Sequence, residues 1–509
     1  MIENKRSIPN SWFYFAVLIL GAYFIIKLID QSKMISIFPF DYTNDYSSHM
    51  AQLYFLGQCG FHKLCPYWYN GYVLFKSYSP TFFVFTNFLF VSWTNNIQLS
   101  TYLGVVSTMA LIFATIFYFG KLFKLSVVKR ILFFLFIMAN PMSIGNFIRL
   151  GRVGELAAWC AFFPLAFFVL WYKDKPFDKK FIFFIPLYFL IMLSHPTVII
   201  LAHVMLLSLF LVVSNKDKIK LVIYGAVGAV LSSFWWLGFL INLSNNFILS
   251  YKNVKRVLDL SGPWLLTNIA GFIVPIALWA TFYWYYKYKA TNKRKELIFA
   301  LPILISSAIY FFKLVPFVPL FKHVYPDTFL LFFLFYTVFY LLKIRFNKLN
   351  KKERWFILIS LILIPIIAVA VSLVHTPWFN DKKDPIAEET ISLFPNIPIS
   401  EKYIITYCSD EGCCKVPSCR IPAIDSYAPI AFNISTASGY TPEEINKDYI
   451  DILSKAMFLK NDKSCKEYLE ELDFLNTTYV ISYNDLCDYH KKCGFTEIDK
   501  REHACLMKV

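Results

Sequence analysis

The sequence predicts an α-helical membrane protein that crosses the bilayer about eleven times and ends in an external α/β domain. Three observations lead there. Hydrophobic residues make up 57% of the 509-residue chain and mean hydropathy is +0.50, above the ~45–50% apolar content of a soluble chain. The net charge of +16 is divided unevenly: residues 1–375 carry 35 Lys and Arg against 12 Asp and Glu, residues 376–509 carry 15 against 22. The eleven cysteines are also segregated. Cys59 and Cys65 lie in the first long loop, Cys160 lies alone in an apolar run, and Cys408, Cys413, Cys414, Cys419, Cys465, Cys487, Cys493 and Cys505 lie near the C-terminus. Even counts in both polar regions fit disulfides in an oxidising compartment. The competing reading of 408–419 is zinc, but C-x4-CC-x4-C is not a usual zinc spacing.

The elements follow in order. An apolar stretch over 11–28 comes after Lys5 and Arg6 and has no small-residue cleavage site behind it, so it reads as a retained first span with a cytoplasmic N-terminus. Residues 31–98 are a long external loop. Inside it, 80–93 (PTFFVFTNFLFVSW) is apolar but too short to span, and with Trp68, Tyr69 and Trp93 nearby it reads as a helix on the external membrane surface. Counting it as a twelfth span would invert every later loop and place the tail inside. Further spans lie near 99–119, 131–147, 155–172, 181–195, 197–214, 220–241, 264–286, 297–315, 326–342 and 355–375. Basic clusters at 121–130, 173–180, 216–220, 287–295 and 343–354 then all face the cytoplasm. Topology accounts for the positive charge, so no nucleic-acid partner is implied. Pro377 marks the start of a domain over 376–509 after the membrane module of 1–375. There, 402–407 and 478–483 alternate like strands and 443–460 reads as a helix.

Two constellations could carry chemistry. The first loop contains Asp41, Asp45 and His49 in FDYTNDYSSHMAQLYF. In a helix over 45–56, Asp45 and His49 would share a face. A carboxylate beside an imidazole at a membrane surface can take a proton from a hydroxyl or help hold a metal ion. The plainer reading is a loop acid that caps a helix. The second is PMSIGNFIRLGRVGELAAW, where Arg149, Arg152 and Glu155 stand between two apolar spans on the external side. External arginines at span ends run against the positive-inside bias, and the guanidinium fork matches phosphate oxygens. The plainer reading is an Arg–Glu pair bracing two helices.

A resemblance rests on these residues. The order is a first span, an external loop with Asp45 and His49, a Trp-Tyr-x-Gly-Tyr-x-Leu segment over 68–74, Tyr78-Ser79-Pro80 opening an apolar helix, and then the Arg/Glu loop. It resembles the GT-C superfamily of polyprenyl-phosphate-sugar-dependent glycosyltransferases. It is most similar to a prokaryotic membrane branch labelled 6-pyruvoyl-tetrahydropterin synthase-related. The resemblance implies that Asp45 is the first-loop general base, with Asp41 the alternative. It further implies that His49 neighbours the donor phosphate or a metal, that Arg149 and Arg152 contact that phosphate, and that Lys322 and His323 add basic contacts at a late external boundary. Glu155 matches a second acidic position, and with Asp45 and His49 makes up the implied set for a divalent cation, Mg or Mn. Only one acid remains of the richer motif in oligosaccharyltransferases. His195, before Pro196, is either a capped histidine at a kink or part of a cavity lining.

The implied activity is transfer of a sugar from a polyprenyl phosphate to an external glycan, lipid or protein acceptor at the cell membrane. A lipid-linked-sugar flippase would place charges midway along its spans, and here they gather at the ends. A non-catalytic scaffold is the third reading.

Overall fold

The computed structural model describes residues 11–40, 45–76, 78–245, 265–344, 349–380, 384–408, 421–440, 445–459 and 463–509. Six of its helices are long and apolar enough to cross a membrane: Trp12–Ile35, Ile97–Leu122, Val153–Tyr172, Leu265–Tyr288, Pro326–Lys343 and Lys351–His375. Two bent pairs pass the same test, Val127–Met138 with Pro141–Arg149 and Asn215–Leu231 with Ser233–Ile241. The count among the described residues is thus six to eight rather than eleven. The other three apolar runs are helical but fall short. Phe184–Met192 has 9 residues, Pro196–Val212 has 17, and Lys293–Phe311 opens on Lys293, Arg294, Lys295 and Glu296.

Each bend has a local or tertiary cause. At the first, Asn140 caps the second limb by accepting from the backbone N–H groups of Met142 and Ser143, both at 3.0 Å, and Pro141 opens it. That limb widens into a π-helix, Ile144–Arg149. Such turns are frequent at functional positions. At the second, a 78° bend lays Ser233–Ile241 across the first loop. The Trp235 indole N–H donates to the carbonyls of Phe75 (3.1 Å) and Tyr78 (3.2 Å). Val153–Tyr172 and Pro326–Lys343 are the most enclosed spans, 89% and 83% buried, so they form the middle of the bundle. The N-terminal ends of these two helices carry Arg152, Glu155 and Asp327.

The first loop folds as a helix, Tyr46–Cys59, closed by a Cys59–Cys65 disulfide, and a short hairpin pairing Leu64–Cys65 with Tyr72–Val73. Thr81–Thr94 is a short apolar helix, with Phe88 and Trp93 strongly exposed. Trp68 and Tyr69, by contrast, are buried, which corrects the reading of them as interface residues. The Trp68 indole donates to the Asp425 carbonyl at 3.2 Å, so this segment is a seat for the C-terminal region.

That region holds a five-stranded mixed sheet in the order Ser435–Thr436, Lys402–Ile405, Tyr479–Tyr483, Ala504–Lys508, Thr496–Lys500. The first three strands are parallel and the last two antiparallel. Tyr479–Tyr483 is buried at every position, as a strand covered on both faces requires. The expected helix is Lys447–Met457. Disulfides join Cys465 to Cys493 and Cys487 to Cys505, and Cys160 is free. Asp41, Cys413, Cys414 and Cys419, and the side chain of Cys408, lie outside the described residues.

Candidate active site

Asp45 stands at the N-cap of Tyr46–Cys59, a position aspartate favours because its carboxylate can accept from the first turn. Here it makes no such bond. Instead it accepts from the hydroxyl of Tyr440, a residue of the C-terminal region. The backbone N–H of Asp45 donates to the Leu150 carbonyl at 2.5 Å, tying the first loop to the loop that carries Arg152. One turn on, His49 is buried, with its ring 5.6 Å from Tyr78, 5.6 Å from Phe83 and 6.3 Å from Tyr440. Neither ring nitrogen has a hydrogen-bond partner. Burial lowers its pKa to about 4, against the opposing pull of Asp45, so the imidazole is neutral near pH 7.

Arg152 is placed by a turn that only glycine can make. Gly151 has φ +80°, and a Cβ there would sit 2.7 Å from the Tyr46 ring. The Tyr46 hydroxyl reaches the carbonyls of Phe147 (3.1 Å) and Ile148 (3.0 Å), so the first-loop helix and the arginine loop form one unit. Arg152 Nη1 lies 2.5 Å from Asp327 Oδ2 and 3.7 Å from Glu155 Oε2. Asn146 Nδ2 donates to the same Asp327 oxygen at 2.6 Å. Glu155 Oε1 accepts from Thr328 (2.8 Å) and from the Trp159 indole (3.3 Å). The remaining oxygens, Glu155 Oε2 and Asp327 Oδ1, are buried without a hydrogen-bond partner. The guanidinium lies 5.3 Å from the Tyr325 ring, and the ring of His195 lies 6.4 Å from Tyr325. His195 is both helix cap and cluster member: it caps Pro196–Val212 by position, and its Nδ1 pairs with Thr197 Oγ1 at 2.8 Å.

Asp45, His49, Arg152 and Glu155 therefore meet at one boundary of the bundle. Arg149 has other described neighbours. It is buried with its guanidinium 6.0 Å from the Phe379 ring and within electrostatic reach of Lys27 and Tyr46. The Gly151 turn separates two arginines that a regular helix would place on one face. Lys322 and His323 form a part-exposed turn, Phe321–His323, that leads into Tyr325 and Asp327. Burial and the neighbouring Lys322 lower the His323 pKa. Asp45, His49 and Glu155 do not converge as a ligand set. Among the described residues, the His and acid donors that lie within 4.8 Å of one another are Glu389, Glu502 and His503, in the C-terminal region.

Sequence reasoning missed Asp327, Asn146 and Tyr440. Asp327 had a signal: it is an acid in the first turn of an apolar helix, placed as Glu155 is. Asn146 and Tyr440 carried none.

No protein-family model and no curated protein matches the sequence. Solved structures do match. The mycobacterial arabinofuranosyltransferase AftD aligns with 99% of this chain at 12% identity and TM-score 0.58. The chain spans 40% of that protein's length. The Archaeoglobus fulgidus oligosaccharyltransferase, solved with Zn and sulfate, aligns with 91% of this chain and 68% of its own at 12% identity and TM-score 0.53. The archaeal oligosaccharyltransferase AglB, from the same organism, solved with an inhibitory peptide and a dolichol-phosphate, aligns with 92% and 70% at 10% identity and TM-score 0.54. At 10–12% identity the likeness to these transferases is one of fold. With six to eight apolar helices, the fold is that of an integral membrane protein.

Proposed function

We propose that this chain is an integral-membrane glycosyltransferase that moves a sugar from a polyprenyl-phosphate donor to an external glycan, lipid or protein acceptor. One observation carries the reading. A carboxylate, Asp45, and a cation, Arg152, are held at one membrane boundary by the Asp45–Leu150 backbone bond and the Tyr46–Gly151 contact, where the two central spans begin.

In this reading Asp45 accepts the proton of the acceptor hydroxyl as its oxygen attacks the anomeric carbon. The bond from that carbon to the donor phosphate oxygen breaks, and Arg152 stabilises the departing phosphate. The product has inverted configuration, and Asp45 leaves the step protonated. Until a donor arrives, Asp327 and Glu155 hold Arg152, so the phosphate competes with Asp327 for the guanidinium. The donor set Asp45, His49 and Glu155 does not fit a single divalent ion as arranged. Residues 376–509 form the external domain, with the N-terminus in the cytoplasm, an arrangement that fits the Cys465–Cys493 and Cys487–Cys505 disulfides.

Membranes carrying the chain, supplied with radiolabelled polyprenyl-phosphate arabinofuranose or polyprenyl-phosphate mannose, should release label into a polar product. Equal turnover by wild type and Asp45→Asn would remove Asp45 from the mechanism.

A further inference from the structure

The strand Ser435–Thr436 continues into a strap, 437–440, that crosses the first loop. It is pinned along its length. Thr436 N–H donates to the Tyr67 carbonyl (2.9 Å) and Ala437 N–H to the Tyr403 carbonyl (3.0 Å). The Ala437 carbonyl accepts from the Tyr449 hydroxyl (2.8 Å), and the Ser438 hydroxyl donates to Asp425. Gly439 lies against two rings, where a Cβ would fall 2.6 Å from Tyr69 and 2.9 Å from Trp68. The next residue, Tyr440, sends its hydroxyl to Asp45 Oδ1 and stands its ring beside His49.

This contact occupies the group that the proposed reaction needs, and the inference rests on that reading. A base that removes a hydroxyl proton must first accept a hydrogen bond from that hydroxyl. The oxygen of Asp45 that would do so is taken by a neutral O–H donor. With an ordinary pKa near 10, a phenol keeps its proton against a carboxylate at neutral pH, as a sugar hydroxyl does. The walls are aromatic: Tyr78 and Phe83 beside His49, Trp68 and Tyr69 beneath Gly439. Such faces pack well against the C–H faces of a sugar ring. We infer that Tyr440 holds the place of the acceptor's sugar hydroxyl on Asp45, and that a glycan acceptor enters by displacing it. Tyr440 is then a positioning residue through which the C-terminal region sets the selectivity of the centre.

The test places 3-fluorotyrosine at position 440 of the full chain in lipid nanodiscs and follows its fluorine resonance. Asp45→Asn should shift the resonance. Hexyl glycosides of arabinofuranose, mannose, glucose and galactose are then added in turn. At least one should move the wild-type resonance towards its Asp45→Asn position and leave the Asp45→Asn resonance in place. A resonance that ignores Asp45→Asn, or ignores all four glycosides, overturns the inference. In the transfer assay, Tyr440→Phe should lower the KM for the acceptor glycoside about tenfold, the worth of one hydrogen bond to a charged group, by a larger factor than kcat changes. A fall in kcat with KM unchanged would make Tyr440 a proton carrier and also overturn it. Full turnover in Asp45→Asn would remove Asp45 as the base and overturn the inference with it, whereas no labelled product from the wild type would defeat the transferase reading itself, which keeps the two failures apart.

Discussion

Two of the buried acidic centres among the described residues are finished differently. In the C-terminal region, Asp425 accepts from Tyr403 (2.9 Å) and Thr436 (3.5 Å) through one oxygen and from Ser438 through the other. At the bundle boundary, Glu155 and Asp327 each keep one buried oxygen without a hydrogen-bond partner and share a single arginine. The histidines repeat the contrast. His490 pairs with Ser482 through Nε2 at 2.7 Å, whereas His49 pairs through neither nitrogen. Buried polar groups are satisfied almost everywhere in folded proteins. In the proposed reaction, the bonds left open at the bundle boundary are those that a bound substrate completes.

The largest expected effect falls on the open centre. Asp45→Asn should lower transfer by about 10²–10⁴, the usual worth of a general base, with the thermal midpoint unchanged. A large drop in that midpoint would make Asp45 structural and erase the distinction. Arg152→Ala comes next. It leaves Glu155 and Asp327 facing each other uncompensated, a change that typically costs about 3–5 kcal/mol. Binding of polyprenyl phosphate should weaken in parallel, with only partial rescue by Arg152→Lys, which lacks the two-pronged geometry. Adding Asp327→Asn to Arg152→Ala should restore part of the stability, because one of the two stranded charges is gone.

In the closed region, replacing Cys465 and Cys493 by serine should cost about 2–5 kcal/mol, read as a lower midpoint in a non-reducing thermal scan. Thiol titration of the oxidised, denatured chain should still find Cys160.

The smallest effect is a pH dependence. Burial lowers the His49 pKa to about 4, below its ordinary 6.5, so its contribution to stability is full above pH 6.5 and lost as the pH falls towards 4. Burial raises the Asp425 pKa to about 6, above its ordinary 3.8. Its contribution runs the other way, full below pH 3.8 and lost as the pH rises through 6. Asp425→Asn removes that opposing contribution and should make the midpoint fall more steeply between pH 6 and 4. His49→Phe should make it fall less steeply. Parallel slopes in all three proteins would show that neither group governs acid stability.

Much of the helical layout was legible because lipid demands long apolar runs. The break at Asn140–Pro141 was not read, and 131–147 stood as one span, although a capping asparagine before a proline is a local signature. The bend at Ser232 was not legible: no proline or glycine marks it, and Trp235 secures it through carbonyls some 160 residues away. Asp45, His49, Arg152 and Glu155 stood out by residue type at a membrane boundary. The π-helical turn that ends at Arg149 and the positive φ of Gly151 were not read, because the sequence marks that stretch only as a loop between two spans. Tyr440 was beyond reach, one of 32 tyrosines and joined to its partner only by the tertiary fold.

The Asp45–Tyr440 contact joins residues 395 apart, and the Arg152–Asp327 pair joins residues 175 apart. Contacts so distant along a chain cannot form until its later part exists. During synthesis the ribosome must deliver the chain as far as Tyr440 before all four residues can meet. A chain released early inserts its first spans but carries an unfinished centre. Synthesis as far as Tyr440 is thus itself a safeguard, because any shorter product lacks a member of the proposed centre.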